Sequence, residues 1–333
     1  MTFELDVSDV SQVSSSSGGK TIDFDAMNSE VVEIVGTQKK AKTVVGFPVG
    51  IYDLGLQKRP NYEALYDPNN TDQKADIDAG NAIVEERDYF YDNGKNLKDV
   101  KVFSKPRTPA KAIAIAVDFP QFVVDKGKYF DNSNPAPLRL IMGNAWTVVN
   151  PDDMDKKMPV IASPFYLSEN TNNDAGEWAI SNRTTLHKMA AAAELLNDNG
   201  NFKAADVGKL LGKPMMFQIQ VFMKEDKKDS SKKYYTEKIK FVSEVPEGLP
   251  IPELDPSLIH GVNMNRENSE EALKQLRAVV KNTMRLSESW EDSIIKQELG
   301  SKQSPQSPNK DVPDSGTEDE LGDDAPFDDD IDF

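Results

Sequence analysis

Two segments in the last third of the chain combine aromatic and cationic side chains at a spacing that could bind a nucleic-acid strand. Met215–Met223 and Tyr234–Val242 each alternate apolar with polar residues, so one face of a hairpin would carry Phe222 and Tyr234 beside glutamines and lysines. The connection between the segments, residues 224–233, adds five lysines. Exposed rings stack on bases and lysines neutralise phosphates. The alternative is that both rings pack beneath a neighbouring helix and the lysines only keep an edge strand soluble.

Charge is distributed unevenly along the 333 residues. The formal net charge is −17, and residues 301–333 alone contain eleven acids and two lysines, a net of −9. In contrast, residues 99–139 net +3 and residues 203–240 net +5. Phosphate binding is driven by neutralising charge. The positive stretches inside the predicted fold, rather than the acidic total, are therefore the regions where we expect nucleic acid to bind.

A predicted strand-binding surface would draw on basic and aromatic positions throughout the middle of the chain. Basic residues lead into several predicted strands, and one further tryptophan lies in a polar segment. The predicted contacts to single-stranded DNA are Lys105, Arg107, Lys111, Arg139, Trp178, Arg183, Lys213, Phe222, Lys224, Lys232, Lys233, Tyr234, Lys238 and Lys240.

The sequence lacks the motifs of the common enzyme classes. It contains no phosphate loop, no Gly-x-Ser-x-Gly elbow and no His-Glu-x-x-His pair. Without cysteine it can form neither a disulfide nor a thiolate metal site, which suits a reducing compartment. The two histidines, His187 and His260, are expected to be structural or surface residues. We therefore predict a protein that is not an enzyme and needs no cofactor or metal.

Neither a signal peptide nor a membrane span is indicated. The N-terminus lacks a basic segment followed by an apolar one, and the chain has no run of eighteen apolar residues. We expect a cytoplasmic protein without a membrane partner.

The sequence patterns predict that the candidate residues are positioned by a mainly β domain at residues 22–250. A flexible arm, residues 1–21, precedes it. Lys42–Gly55 is typical of a long, bent strand, with curvature at Gly46 and Gly50. Ala112–Phe119 predicts a half-buried strand. A helix is predicted for Thr185–Asn197. Short curved strands without a β-α-β rhythm favour a small closed barrel with insertions and added helices.

The remainder of the chain is predicted to be a linker and amphipathic helix, residues 251–300, followed by a disordered acidic tail, residues 301–333. Apolar residues recur at helical spacing between Glu270 and Leu299, namely at Leu273, Leu276, Val280 and Met284. This stripe either packs on the protein's own barrel or on a second copy, or it docks on a partner.

The end of the chain, Phe327 to Phe333, resembles the acidic tip of bacterial single-stranded DNA-binding proteins. Val44–Gln57 and Leu210–Phe222 resemble segments of phage-encoded single-stranded DNA-binding replication proteins. The chain departs from these families in two ways. It has Asp332 where the bacterial tip has proline, and it lacks the cysteines that bind zinc in some phage proteins.

This resemblance implies an OB-fold, a five-stranded Greek-key barrel, in a protein that coats and protects single-stranded DNA during phage DNA replication, recombination and repair. It also implies residence in the host cytoplasm, possible self-association, and recruitment of a polymerase, a helicase or primase, or a nuclease through the tip. The tip residues are Phe327, Asp328, Asp329, Asp330, Ile331, Asp332 and Phe333. Two alternatives stay open: a strand-annealing recombination protein, and a scaffold that uses the tail without binding DNA.

Overall fold

A computed structural model describes residues 22–90, 96–171, 176–226 and 233–301 of the chain. Its composition of 40% strand and 24% helix confirms the mainly β class. The predicted N-terminal arm, Lys232, and residues 302–333 of the acidic tail, which include its tip, lie outside the described residues. No helix in the described ranges is both long and apolar enough to cross a membrane.

The described strands and helices follow in chain order. The strands are β1 (Lys42–Gln57), β2 (Tyr62–Leu65), β3 (Ile83–Phe90), β4 (Asn96–Lys105), β5 (Ala110–Val124), β6 (Ala136–Ile141), β7 (Ala145–Asn150), β8 (Asp153–Ile161), β9 (Phe165–Tyr166), β10 (Glu169–Asn170), β11 (Ala179–Ile180), β12 (Met215–Glu225), β13 (Lys233–Ser243) and β14 (His260–Val262). The α-helices are α1 (Phe24–Val35), α2 (Thr71–Asp78), α3 (Thr185–Ala192), α4 (Glu270–Lys274), α5 (Ala278–Arg285) and α6 (Ile294–Ser301). Short 3-10 helices occur at Gly127–Phe130, Ala204–Leu210 and Pro256–Leu258.

The main sheet is built on the strand order β13-β12-β1-β5-β6, in which every neighbouring pair is antiparallel. Two short strands extend it, because β14 pairs in parallel with β1 and β9 pairs antiparallel with β5. A separate three-stranded sheet has the order β2-β4-β3. Two further hairpins, β7-β8 and β10-β11, complete the described strands.

The predicted five-stranded closed barrel is not confirmed. Among the described strands no ladder joins the two edges of the main sheet, β6 and β13, although their Cα atoms come within 8 Å of each other. Arg277 spans this gap. It donates to the Arg139 carbonyl on β6 at 3.3 Å and forms an ion pair with Glu237 on β13 at 2.9 Å. A side chain therefore links the edges where a closed barrel would have backbone hydrogen bonds.

The long first strand bends where glycine permits it. The pairing of β1 with β5 shifts register between Pro48 and Gly50, which confirms a bend at the second predicted glycine. Gly46 has a different role. A Cβ atom there would lie 2.6 Å from the Phe119 ring, so glycine is needed for close packing between β1 and β5.

Strand β5 is buried on both faces, so the prediction of a half-buried strand is wrong. Its branched and aromatic residues, which include Ile115 and Phe119, lie in a first core with buried side chains of α1 and α3. Its alanines, such as Ala114, lie in a second core on the opposite face of the sheet. Small side chains on that face leave room for the larger apolar side chains of the C-terminal segment, which share this core.

The C-terminal segment packs on the protein's own sheet. Leu273, Leu276, Val280 and Met284 are all buried in the second core, which is the first of the alternatives considered for this stripe. Part of the predicted linker, His260–Val262, is instead strand β14. The C-terminal helices therefore share the second core with residues of β1 and β5.

Helix α3 is shorter than predicted and ends at Ala192 rather than at Asn197. Glu194 has a φ of 56°, in the left-handed region, and the Leu195 amide donates back to the Ala190 carbonyl. This arrangement is a common way to stop a helix, and it overrides the helical propensity of the residues that follow.

Candidate nucleic-acid interface

The polar side of the β12-β13 hairpin has the composition predicted from the alternation of residue types. Residues directly opposite each other on an antiparallel pair point to the same side of the sheet. The opposed pairs are Gln218 with Lys240, Gln220 with Lys238, Phe222 with Thr236, and Lys224 with Tyr234. We call these eight residues the hairpin face. Six steps along β12 make it about 20 Å long, which is enough for several nucleotides.

Both rings of the hairpin face lie outside the two hydrophobic cores. Phe222 and Tyr234 are half-buried and belong to neither core. On the opposite side of β12, Phe217, Ile219 and Val221 are buried in the first core, and the buried residues of α3 join that same core. The structure therefore does not support the alternative in which both rings pack beneath the helix.

Cationic groups surround the two rings. Lys238 Nζ lies 5.8 Å from the centroid of the Phe222 ring, at a distance typical of a cation–π contact. At the end of the hairpin the Tyr234 hydroxyl donates to Asp226 at 3.0 Å, which orients the ring. Lys233 lies 3.6 Å from Glu225, and both side chains are exposed. An exposed ion pair of this kind is weak, so a phosphate can compete for the lysine.

A charged cluster supports β13 from its other side. Glu237 pairs with Arg277 and accepts a hydrogen bond from the Tyr235 hydroxyl at 2.9 Å, and Lys126 Nζ lies 5.5 Å from the Tyr235 ring centroid. Burial raises the pKa of Glu237, but the charges of Arg277 and Lys126 outweigh it and lower the pKa below its usual value. This cluster was not predicted from the sequence. The clue in the sequence was Glu237, because it occupies a position of β13 where the alternation calls for an apolar residue that faces the core.

Two predicted DNA contacts instead have structural roles, and we correct them. Arg139 forms a bidentate pair with Asp118, with Nε 2.7 Å and Nη2 2.9 Å from the carboxylate oxygens, and their side chains are only 16% and 1% exposed. Lys111 lies 2.7 Å from the buried carboxylate of Asp53. A buried carboxylate needs a cationic partner, so these two cations are committed to the fold.

The other predicted contacts are spread over the surface. Lys213 is exposed just before β12. Trp178 is 64% exposed and Arg183 is also exposed, but neither belongs to a strand of the main sheet. Lys105 and Arg107 lie together in a cleft beside the three-stranded sheet. The structure thus groups the predicted contacts of the hairpin on one surface and Lys105 with Arg107 on another, and the other contacts lie apart.

Both histidines have hydrogen-bond partners that account for them structurally. His260 Nδ1 lies 2.8 Å from the Leu258 carbonyl and must donate to it, so Nε2 accepts from the Tyr52 hydroxyl at 2.8 Å. Burial lowers the pKa of His260 and raises the pKa of Tyr52 to about 12, so both groups are neutral at pH 7. His187 Nε2 lies 3.0 Å from the Gly200 carbonyl.

No group of three or more His, Asp or Glu side chains in the described part of the chain is placed to hold a metal ion. The described geometry that could bind a ligand consists instead of stacking rings and cations. A scan against protein-family models and searches of curated proteins and of solved structures find no match to this chain.

Proposed function

We propose that this protein binds single-stranded DNA on the hairpin face and coats it during phage DNA replication, recombination and repair. One observation carries the proposal. Phe222 and Tyr234 lie outside both cores, on a face that also presents Lys224, Lys238 and Lys240. Stacking contributes roughly 1 to 3 kcal/mol for each base, and the cations neutralise the backbone without reading sequence.

The hairpin supplies a rigid support for these contacts. Ten opposed residue pairs join β12 and β13, and the apolar side of β12 is buried in the first core. Rings held by such a scaffold lose little conformational entropy when a base stacks on them. The assignment of the fold to the OB class stays a prediction, supported by the five-strand path and by the approach of its edges. Binding on the hairpin face does not require a closed barrel.

A fluorescence-anisotropy titration tests the proposal. Labelled oligo(dT) and a duplex of the same length are each titrated with the full chain in about 50 mM and 200 mM salt, a range over which phosphate contacts weaken strongly. We expect oligo(dT) to bind more tightly than the duplex at both concentrations. Failure to bind either DNA would favour the scaffold, and equal affinity for both would contradict stacking on unpaired bases. An assay with complementary strands separates coating from annealing.

Neutralising the lysines of the hairpin should flatten the salt dependence of binding. We expect Lys224→Gln, Lys233→Gln, Lys238→Gln and Lys240→Gln together to reduce the slope of log K against log salt by about 0.7 for each phosphate that the variant no longer neutralises. Anisotropy titrations at several salt concentrations measure that slope. The matched control replaces four exposed lysines on other elements with glutamine, namely Lys74, Lys98, Lys188 and Lys274. An equal change in both variants would refute the assignment of the phosphate path.

The acidic tail is proposed to have two functions: its tip, Phe327 to Phe333, recruits replication proteins, and its charge of −9 competes with DNA for the cationic surface. Deleting residues 302–333 should therefore strengthen oligo(dT) binding, by about tenfold at low salt and progressively less as salt screens the attraction. Removing only Phe333 is the control, because it keeps the charge and should leave DNA binding unchanged. An identical affinity of the truncated and full chains throughout a salt titration would contradict the competition.

A further inference from the structure

A second basic surface lies at the far end of β1 from the hairpin. Residues 42–46 of β1 pair with β12, whereas Gln57 at the other end of the strand pairs with the start of β5. The chain continues from there into Arg59 and Tyr62, and Arg107 lies just before β5. Arg59, Tyr62 and Arg107 line a cleft of about 590 Å³ beside the three-stranded sheet. A cleft of this volume accommodates a small-molecule ligand.

Each of the two arginines that line the cleft contacts a tyrosine ring. The Arg107 guanidinium carbon lies 5.7 Å from the centroid of the Tyr62 ring, and the Arg59 guanidinium carbon lies 5.5 Å from that of Tyr166. The Tyr166 hydroxyl donates to the Lys58 carbonyl at 2.9 Å, which fixes the ring beneath Arg59. The planar guanidinium of arginine suits bidentate recognition of phosphate.

Arg59 is unusual among the cations of the described residues. Within those ranges it forms no ion pair, and its Nε is the one buried side-chain polar atom without a hydrogen-bond partner. A buried donor without a partner costs about 1 to 3 kcal/mol, so its presence calls for an explanation. Lys105, by contrast, is paired with Asp76 at 2.7 Å. Arg59 therefore lines the cleft without a carboxylate partner among the described residues, and this is the cation on which an anion could settle.

The cleft is also lined by carboxylates. They belong to α2, which contributes Asp72 and Asp76. Asp76 is occupied by Lys105, while the Asp72 carboxylate has no ion-pair partner in the described chain. A ligand suited to both the arginines and Asp72 carries an anionic group and hydrogen-bond donors. A nucleotide meets this requirement through its phosphate and its sugar hydroxyl or exocyclic amine.

We propose that this cleft binds a nucleoside phosphate, with the phosphate on Arg59 and Arg107 and the sugar or base edge toward Asp72. The ligand is either a free nucleotide or the phosphorylated end of a DNA strand, because both present the same group. The site is separate from the hairpin face, and its existence does not depend on the proposed coating of single strands. Lys105 and Arg107, predicted to bind along the DNA strand, would then serve this second site.

Isothermal titration calorimetry of the full chain with each of the four deoxynucleoside 5′-monophosphates tests the site. We expect at least one of the four monophosphates to bind. If dTMP binds, thymidine, which lacks the phosphate, should not. Arg59→Gln should weaken nucleotide binding by about 10- to 100-fold through loss of a charged hydrogen bond. Arg107→Gln is a second variant with the same expectation. Arg266→Gln, at an exposed arginine in the C-terminal segment, is the matched control and should bind normally.

A pair of short oligo(dT) strands, with and without a 5′-phosphate, separates the two sources of the ligand. A strand end is the ligand if the 5′-phosphate strengthens binding of the oligonucleotide and Arg59→Gln abolishes that gain. A free nucleotide is the ligand if Arg59→Gln weakens the binding of the monophosphates but not that of the phosphorylated oligonucleotide. Phe222→Ala with Tyr234→Ala should leave nucleotide binding intact, which distinguishes failure of the hairpin face from failure of the cleft. The proposal is overturned if neither monophosphates nor strand ends bind, or if Arg59→Gln and Arg107→Gln bind them as the unmodified chain does.

Discussion

Replacing both Phe222 and Tyr234 with alanine is expected to weaken oligo(dT) binding by at least about 30-fold. Each base stacked on an aromatic side chain contributes roughly 1 to 3 kcal/mol, so removing two stacking rings costs about 2 kcal/mol at the minimum. The slope of affinity against salt should hardly change, because neither ring neutralises a phosphate. Anisotropy titrations of the variant and the unmodified chain at several salt concentrations measure both quantities.

A variant with leucine at the same two positions is the matched control for strand packing. Leucine keeps an apolar side chain beside Lys238 but offers no ring to a base, so Phe222→Leu with Tyr234→Leu should bind as weakly as the alanine variant. Urea unfolding of each variant checks that the hairpin is intact. Normal binding by the leucine variant would show that the rings contribute only apolar contact area, and stacking would be wrong as the mechanism.

Asp118→Ala is expected to lower the free energy of unfolding by about 3 to 5 kcal/mol. The substitution leaves the Arg139 guanidinium, only 16% exposed, without its carboxylate partner. Breaking a buried ion pair from one side has this cost because the remaining charge stays in a low-dielectric environment. Arg139 also donates to Gln275 at 2.5 Å, so the substitution should loosen the attachment of the C-terminal helices to β6. Equilibrium unfolding in urea measures the change.

A double replacement distinguishes the cost of an unpaired charge from that of poorer packing. Asp118→Leu with Arg139→Met removes both charges and keeps the volume, so it should be more stable than Asp118→Ala. Asp153→Ala, which breaks an exposed pair with Lys156, is the surface control and should leave the unfolding curve unchanged. If Asp118→Ala were as mild as Asp153→Ala, the buried pair would not be what holds β5, β6 and the helices together.

Local alternation was sufficient to predict the hairpin and its polar face. In Phe217–Val221 buried apolar residues alternate with the less buried Gln218 and Gln220, so the pattern in the sequence and the burial in the structure coincide there. Met216 departs from this pattern, because it is buried in the second core on the other side of the strand. The bend of β1 at Gly50 was also predictable, because glycine in a strand marks irregular backbone.

Contacts between distant parts of the chain could not be predicted in this way. The alanines of β5 have the small side chains of a surface strand, and only helices that lie more than 150 residues later reveal that they are buried. Arg139 lies between two apolar residues, as an exposed cation on a half-buried strand would. In the folded chain, however, it pairs with Asp118 on the neighbouring strand. Arg59 and Tyr166 are separated by a hundred residues and meet only in the folded chain. A charge in the sequence does not show which carboxylate it faces.

Photocrosslinking tests the central claim most directly. The full chain is irradiated with oligo(dT) in which one thymine is replaced by 5-iodouracil, which reacts preferentially with stacked aromatic rings, and the crosslinked residues are identified by mass spectrometry. Binding on the hairpin face predicts crosslinks at Phe222 and Tyr234, and their loss in the corresponding leucine variants. Efficient crosslinking that spares both rings and falls elsewhere on the chain would contradict the assignment of single-strand binding to this hairpin.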